Sequence, residues 1–130
     1  MSRKKSREFA FRLVFENFFH EPETELFEDL EDIVLTDEDK VFVNELLSGI
    51  HEHYDAIMSI IKNNTVGYEL ERIFKIDLAI LVLAVYEIKF SSSTPQNVVI
   101  NEAVELSKKY STDKSYSFIN GVLAKIVNEW

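Results

Sequence analysis

The sequence predicts an all-α fold of about six or seven helices, packed as a compact bundle or as two small sub-bundles. Three observations predict it. Three glycines and two prolines in 130 residues leave few places to break a helix. Val and Ile are plentiful but recur at three- and four-residue steps rather than in alternation. Helix starts are punctuated by capping signals, at Thr36 and again at Thr94-Pro95.

The first helix is expected from Lys4 to His20, with Phe9, Ala10, Leu13, Val14, Phe15 and Phe18 on its buried face. Residues 21 to 39 are dense in Asp and Glu and read as a short helix with a solvated face. Thr36, followed by Asp37, Glu38 and Asp39, is a capping-box-like start, with acids where the helix dipole favours them. VFVNELLSGIHEHYDAIMSII then carries Val43, Leu46, Leu47, Ile50, Tyr54, Ile57, Met58 and Ile61 as one amphipathic stripe. Asn63, Asn64 and Gly67 mark a loop. Asp77 to Ile88 is apolar nearly all round and should be the buried central helix. SSSTP is the next loop, with Thr94 as cap and Pro95 in the first turn. Pro95–Lys109 and Asp113–Asn128 complete the set.

Size and composition suit one domain spanning residues 1 to 130. A chain of this size removes roughly two-thirds of its unfolded surface from water. The 46% hydrophobic content is that of a globular protein. The absence of cysteine excludes a disulfide framework, a thiolate nucleophile and cysteine-ligated metal. The longest apolar run, LAILVLAVY, is far shorter than the roughly 20 residues that span a bilayer. The N-terminus lacks the continuous apolar run of a signal peptide, so a cytoplasmic location is expected.

The charge is unevenly placed. The chain has a formal net charge of -9, yet its opening segment MSRKKSREFAFR holds Arg3, Lys4, Lys5, Arg7 and Arg12 against Glu8. Cations at a helix start oppose the helix dipole. A polyanion placed there would be favoured both by the dipole and by these side chains. Enzymatic chemistry finds little support. His51 and His53 lie about 200° apart on a helix and do not converge on a metal. No glycine-rich phosphate loop exists, and Ser91 to Ser93 have no histidine or acid spaced as a triad. No catalytic residue and no metal ligand is assigned. Asn101, Asn120 and Gly121 interrupt helical patterns, and are expected to be buried brackets and a point of close helix approach.

Three blocks of the chain resemble the NusB family of transcription antitermination factors. They are RKKSREFAFRLVF, DLAILVLAVYEI and VINEAVELSKKYSTDKSYSFINGVL, the last with its INEAVEL and FINGVL elements at the family's spacing. The resemblance implies an all-helical fold of two small subdomains and a function without catalysis or cofactor. It implies binding of boxA RNA together with the small-subunit ribosomal protein NusE, in a complex of RNA polymerase with other Nus factors that promotes processive transcription of ribosomal RNA operons. It carries an RNA-binding role onto Arg3, Lys4, Lys5 and Arg7, and onto Lys114, Ser115 and Phe118 at the turn into the last helix. Asp77 matches an acidic position that contacts the protein partner, and Tyr86 and Glu87 match a structural pair. The acidic body suits a basic ribosomal protein. Two lysines replace arginines in the basic start, which removes bidentate phosphate forks and leaves point charges. Val82 and Tyr68 stand where arginine and tryptophan are common in the family. The alternatives are a protein–protein adaptor without RNA affinity of its own, and a detached accessory module of an RNA methyltransferase. Both monomer and homodimer fit the pattern.

Overall fold

The computed structural model describes residues 3–18, 35–65, 72–91 and 94–128, with Arg3 described by its backbone alone. Among these residues the fold is six α-helices: α1 (Arg3–Glu16), α2 (Asp37–Glu52), α3 (Tyr54–Asn63), α4 (Lys75–Lys89), α5 (Gln96–Tyr110) and α6 (Ser115–Asn128). The acidic segment expected to form a short helix lies outside them up to residue 34, as do His20, Gly67 and Tyr68.

α4 is the hub. Every other helix packs on it, with α1, α2 and α3 forming one group and α5 and α6 a second. This follows from its sequence. Leu78 to Val85 and Ile88 are all buried, as expected of a helix apolar on every side. Each fully buried aliphatic side chain there stabilises the fold by about 1.5–3 kcal/mol relative to exposure. Phe11, Val14 and Phe15 of α1, Ile57 and Ile61 of α3, and Ile119, Leu123 and Ile126 of α6 complete the same core.

α2 begins as its sequence proposes. Asp39 N–H donates to Thr36 Oγ1 at 3.1 Å, and Thr36 N–H donates back to the Asp39 carboxylate at 3.0 Å. The Thr36 N–H donor is the largest cause holding the Asp39 carboxyl below its usual value.

Three expectations give way. The stripe from Val43 to Ile61 is two helices, divided at His53, whose φ of -106° and ψ of 15° leave the helical region. The His53 ring stacks on Phe90 at 4.2 Å, which turns α3 onto the end of α4. The apolar period survives a one-residue interruption because the chain resumes at once, Ile57 N–H donating to His53 C=O. Pro95, not Thr94, stands at the start of α5, without a side-chain cap. Gly121, Asn101 and Asn120 are exposed, and a Cβ on Gly121 would meet nothing within 4 Å. The close approach falls at Gly49 instead, where a Cβ would run into the Tyr86 ring.

Candidate nucleic-acid interface

α1 opens on Lys4 and Lys5, both exposed, over the free N–H groups of a helix N-terminus. The helical period then turns the next cations inward. Arg7 is buried, and its Nε donates to both carboxylate oxygens of Glu87, at 2.9 and 3.0 Å. Its Nη2 donates to Thr94 Oγ1 at 2.8 Å, and Phe42 lies 5.6 Å from the guanidinium carbon. The sequence placed Arg7 with the RNA-binding cations; its guanidinium is instead spent inside the protein, tying α1 to α4 and to the start of α5. Burial raises the Glu87 carboxyl above its ordinary value, and the Arg7 charge and hydrogen bonds offset only part of that.

Lys4, Glu8 and Arg12 follow one another at i, i+4 and so share a face of α1. That face meets α5. Glu8 accepts from Lys109 Nζ at 2.5 Å and from the Tyr110 hydroxyl, and Arg12 lies 3.5 Å from the same oxygen. Arg12 Nε donates to the Tyr110 hydroxyl at 3.0 Å. Burial pushes the Glu8 carboxyl up, but the Lys109 and Tyr110 hydrogen bonds and the Lys109 and Arg12 charges more than reverse it, leaving it below its ordinary value. Lys4, Glu8, Glu102, Glu105, Leu106 and Lys109 line a groove of about 190 Å³ between the two helices.

The second group lies where α5 turns into α6. Asp77, in the first turn of α4, is buried. Its carboxylate accepts from Ser111 Oγ at 2.6 Å and Ser115 Oγ at 3.0 Å. Ser115 Oγ also accepts from Thr112 Oγ1 at 2.9 Å and lies 2.8 Å from Ser111 Oγ. Asp77, expected to face a protein partner, and Ser115, expected to face the RNA, are both buried, and together they fix the corner that presents Lys114 to solvent. Phe118 is half-buried and packs against the core. Asp77, Lys114, Ser115 and Phe118 do meet in one cleft, of about 300 Å³, which Arg72 and the exposed Phe74 also line. Arg72 and Phe74 were missed in the sequence because nothing in RIFKID distinguishes an outward aromatic from a core one. The two lysines ending α5, Lys108 and Lys109, were also missed, because the sequence carries no sign of their neighbours.

Among the described residues, no group of three or more His, Cys, Asp or Glu side chains could hold a metal ion, and no helix is long and apolar enough to cross a membrane.

Fold and surface together define a class: a small helical module whose basic helix start and cationic, aromatic cleft are arranged for binding. Comparison with known proteins makes it specific. The NusB family model matches residues 4–128, and the chain belongs to the NusB family. The transcription antitermination protein NusB of Agathobacter rectalis is 45% identical over 130 aligned residues, covering 96% of this chain and 98% of that one. Its counterpart in Finegoldia magna is 44% identical, covering 98% and 94%. Among solved structures, T. maritima NusB superposes with a TM-score of 0.83 at 29% identity, over 99% of this chain and 92% of that one. A chain from the crystal structure of the antitermination factors NusB and NusE in complex with dsRNA does so with a TM-score of 0.83 at 27% identity, over 98% and 97%.

Proposed function

We propose that this protein is a transcription antitermination factor that binds boxA RNA together with the ribosomal protein NusE and promotes processive transcription of ribosomal RNA operons. It acts in the cytoplasm as one non-catalytic domain, within the complex of RNA polymerase and other Nus factors. The observation that carries this reading is the near-full-length likeness to NusB proteins, one of them solved with NusE and dsRNA. The side chains we assign to RNA are Lys4 and Lys5 at the start of α1, with Arg3 beside them in sequence, and Lys114 and the accessible edge of Phe118 at the α5–α6 corner. Arg7, Asp77 and Ser115 support these from inside. Lysines act as point charges on phosphate, so binding is steeply salt-dependent.

The test is fluorescence anisotropy of labelled boxA RNA with the protein alone and with NusE, at two salt concentrations. Binding that prefers boxA over a scrambled sequence and tightens with NusE is expected. A second reading is favoured by the burial of Arg7, which leaves fewer cations at the helix start: a protein–protein adaptor without RNA affinity of its own. It predicts capture of NusE with no gain on adding RNA.

A further inference from the structure

We propose that Tyr116, in the first turn of α6, is a stacking platform for an unpaired base of bound RNA, with Lys108 beside it as a phosphate contact. The proposal rests on the RNA-binding reading above and adds a residue to it. Phe118 is the aromatic the sequence singles out, but its ring is half-buried and packed on the core, so little of its face is open to a base. Tyr116 is different. It is 46% exposed and takes no part in the core. It stands two positions before Phe118 on the same helix, about 200° around it, and so looks away from the cleft that Phe118 lines.

One cation stands against it. The Lys108 ammonium lies 5.5 Å from the Tyr116 ring centroid, over the ring. That contact joins the last turn of α5 to the first turn of α6 and restrains two side chains that would otherwise lose rotamer freedom on binding. Lys114 stands two residues before Tyr116 in the exposed corner held by Asp77. Lys109, next to Lys108, is paired to Glu8 in the α1–α5 groove, whose lining includes Glu102 and Glu105, so Lys108 is the cation left to serve the ring. A ring with an ammonium beside it offers what a single strand needs: charge for the backbone and a flat surface for a base.

Among the described residues, the other two exposed aromatics fit less well. Tyr54 is followed by Asp55, whose charge, after burial, is the second cause raising the Tyr54 phenol above its ordinary value; an acid there repels phosphate. Phe74 belongs to the Phe118 cleft already assigned.

The experiment uses the full chain with NusE and fluorescein-labelled single-stranded boxA RNA, comparing wild type with Tyr116→Ala, Tyr116→Phe and Lys108→Gln. An exposed ring supports no core contact, so all four should melt alike. Tyr116→Ala is expected to weaken binding about thirtyfold, the middle of the range for losing one stacked base. Tyr116→Phe should bind as wild type, and Lys108→Gln should lower the salt slope by about one. RNA carrying 2-aminopurine at successive positions should show quenching at one of them that Tyr116→Ala abolishes. Duplex RNA of the same sequence should bind wild type and Tyr116→Ala equally. If wild type binds boxA and Tyr116→Ala binds as tightly, the stacking role is overturned while the RNA-binding reading stands. If wild type itself fails to bind, the RNA-binding reading falls and the stacking role with it.

Discussion

Two glycines in this protein have opposite reasons for being there. Gly49 lies under Tyr86, and a methyl group at that position collides with the ring itself, not only its hydroxyl. Gly49→Ala should therefore destabilise the fold by about 1–3 kcal/mol, despite the better helix propensity of alanine, because overpacking displaces an aromatic from α4. Gly121 meets open space on a helix surface. Gly121→Ala should stabilise by about 0.5–1 kcal/mol through reduced chain entropy and improved propensity. Urea denaturation of the two variants should move the midpoint in opposite directions, and a shift of the same sign in both would refute the distinction. Asp77 belongs to this scale as well. Replacing it with alanine leaves the Ser111 and Ser115 hydroxyls without their acceptor, at a cost of about 1–3 kcal/mol, and loosens the corner that carries Lys114.

Helix α1 packs Phe11, Val14 and Phe15 into the core and adds two charged contacts to its neighbours, which differ in sign of pH response. The Arg7–Glu87 pair is buried on both sides. Cutting it by Glu87→Gln strands a buried guanidinium and should cost about 3–5 kcal/mol, whereas replacing both members with methionine should restore most of the loss. Glu8 sits at the other contact, beneath Lys109, Tyr110 and Arg12. Its folded carboxyl lies below the ordinary value of 4.5. A depressed acid contributes stability that is present above the unfolded value and lost as pH falls through the folded one. Wild type and Glu8→Gln should therefore differ in urea stability at pH 7, and the gap should close as pH drops below about 4.5. A gap that stays constant down to pH 3 would show that the α1–α5 contact depends on shape and not on the Glu8 charge. The α2 cap is a simpler case: Thr36→Ala removes one side of the capping box and should cost about 1 kcal/mol.

Across the whole molecule, an acidic chain exposes cations at the start of α1 and at the α5–α6 corner, and also singly elsewhere, as at Lys40, Lys62 and Lys125. Changing Lys4 and Lys5 together to alanine should weaken RNA binding at every sequence and reduce the salt slope by about two, one for each ammonium group removed from a phosphate. It should leave capture of the ribosomal partner intact. Arg7→Ala should behave differently, lowering thermal stability before it alters the slope, because its charge is spent on Glu87. The net negative charge of the chain repels phosphate over most of the surface, which keeps RNA contact local and salt-sensitive.

The helices were legible in the residues because helix formation is local. The apolar spacing, the Thr36 capping box and the scarcity of breakers each act within a few positions, and the unbroken apolar run of α4 is enough to make it the centre. Family membership was legible for the same reason, since its three blocks are short and contiguous. What a side chain faces is another matter. Arg3, Lys4, Lys5 and Arg7 form one basic stretch in the sequence, yet Arg7 meets a carboxylate 80 residues away. Asp77 finds its serine partners 34 and 38 positions on. Gly49 is close-packed and Gly121 is not, though both interrupt helical patterns alike. Tyr116 and Phe118 are two residues apart, and only packing turned one ring into the core and left the other beside Lys108. Local spacing sets which residues share a helix face. Only the meeting of helices decides which faces are closed, and so which charges and rings remain for a ligand.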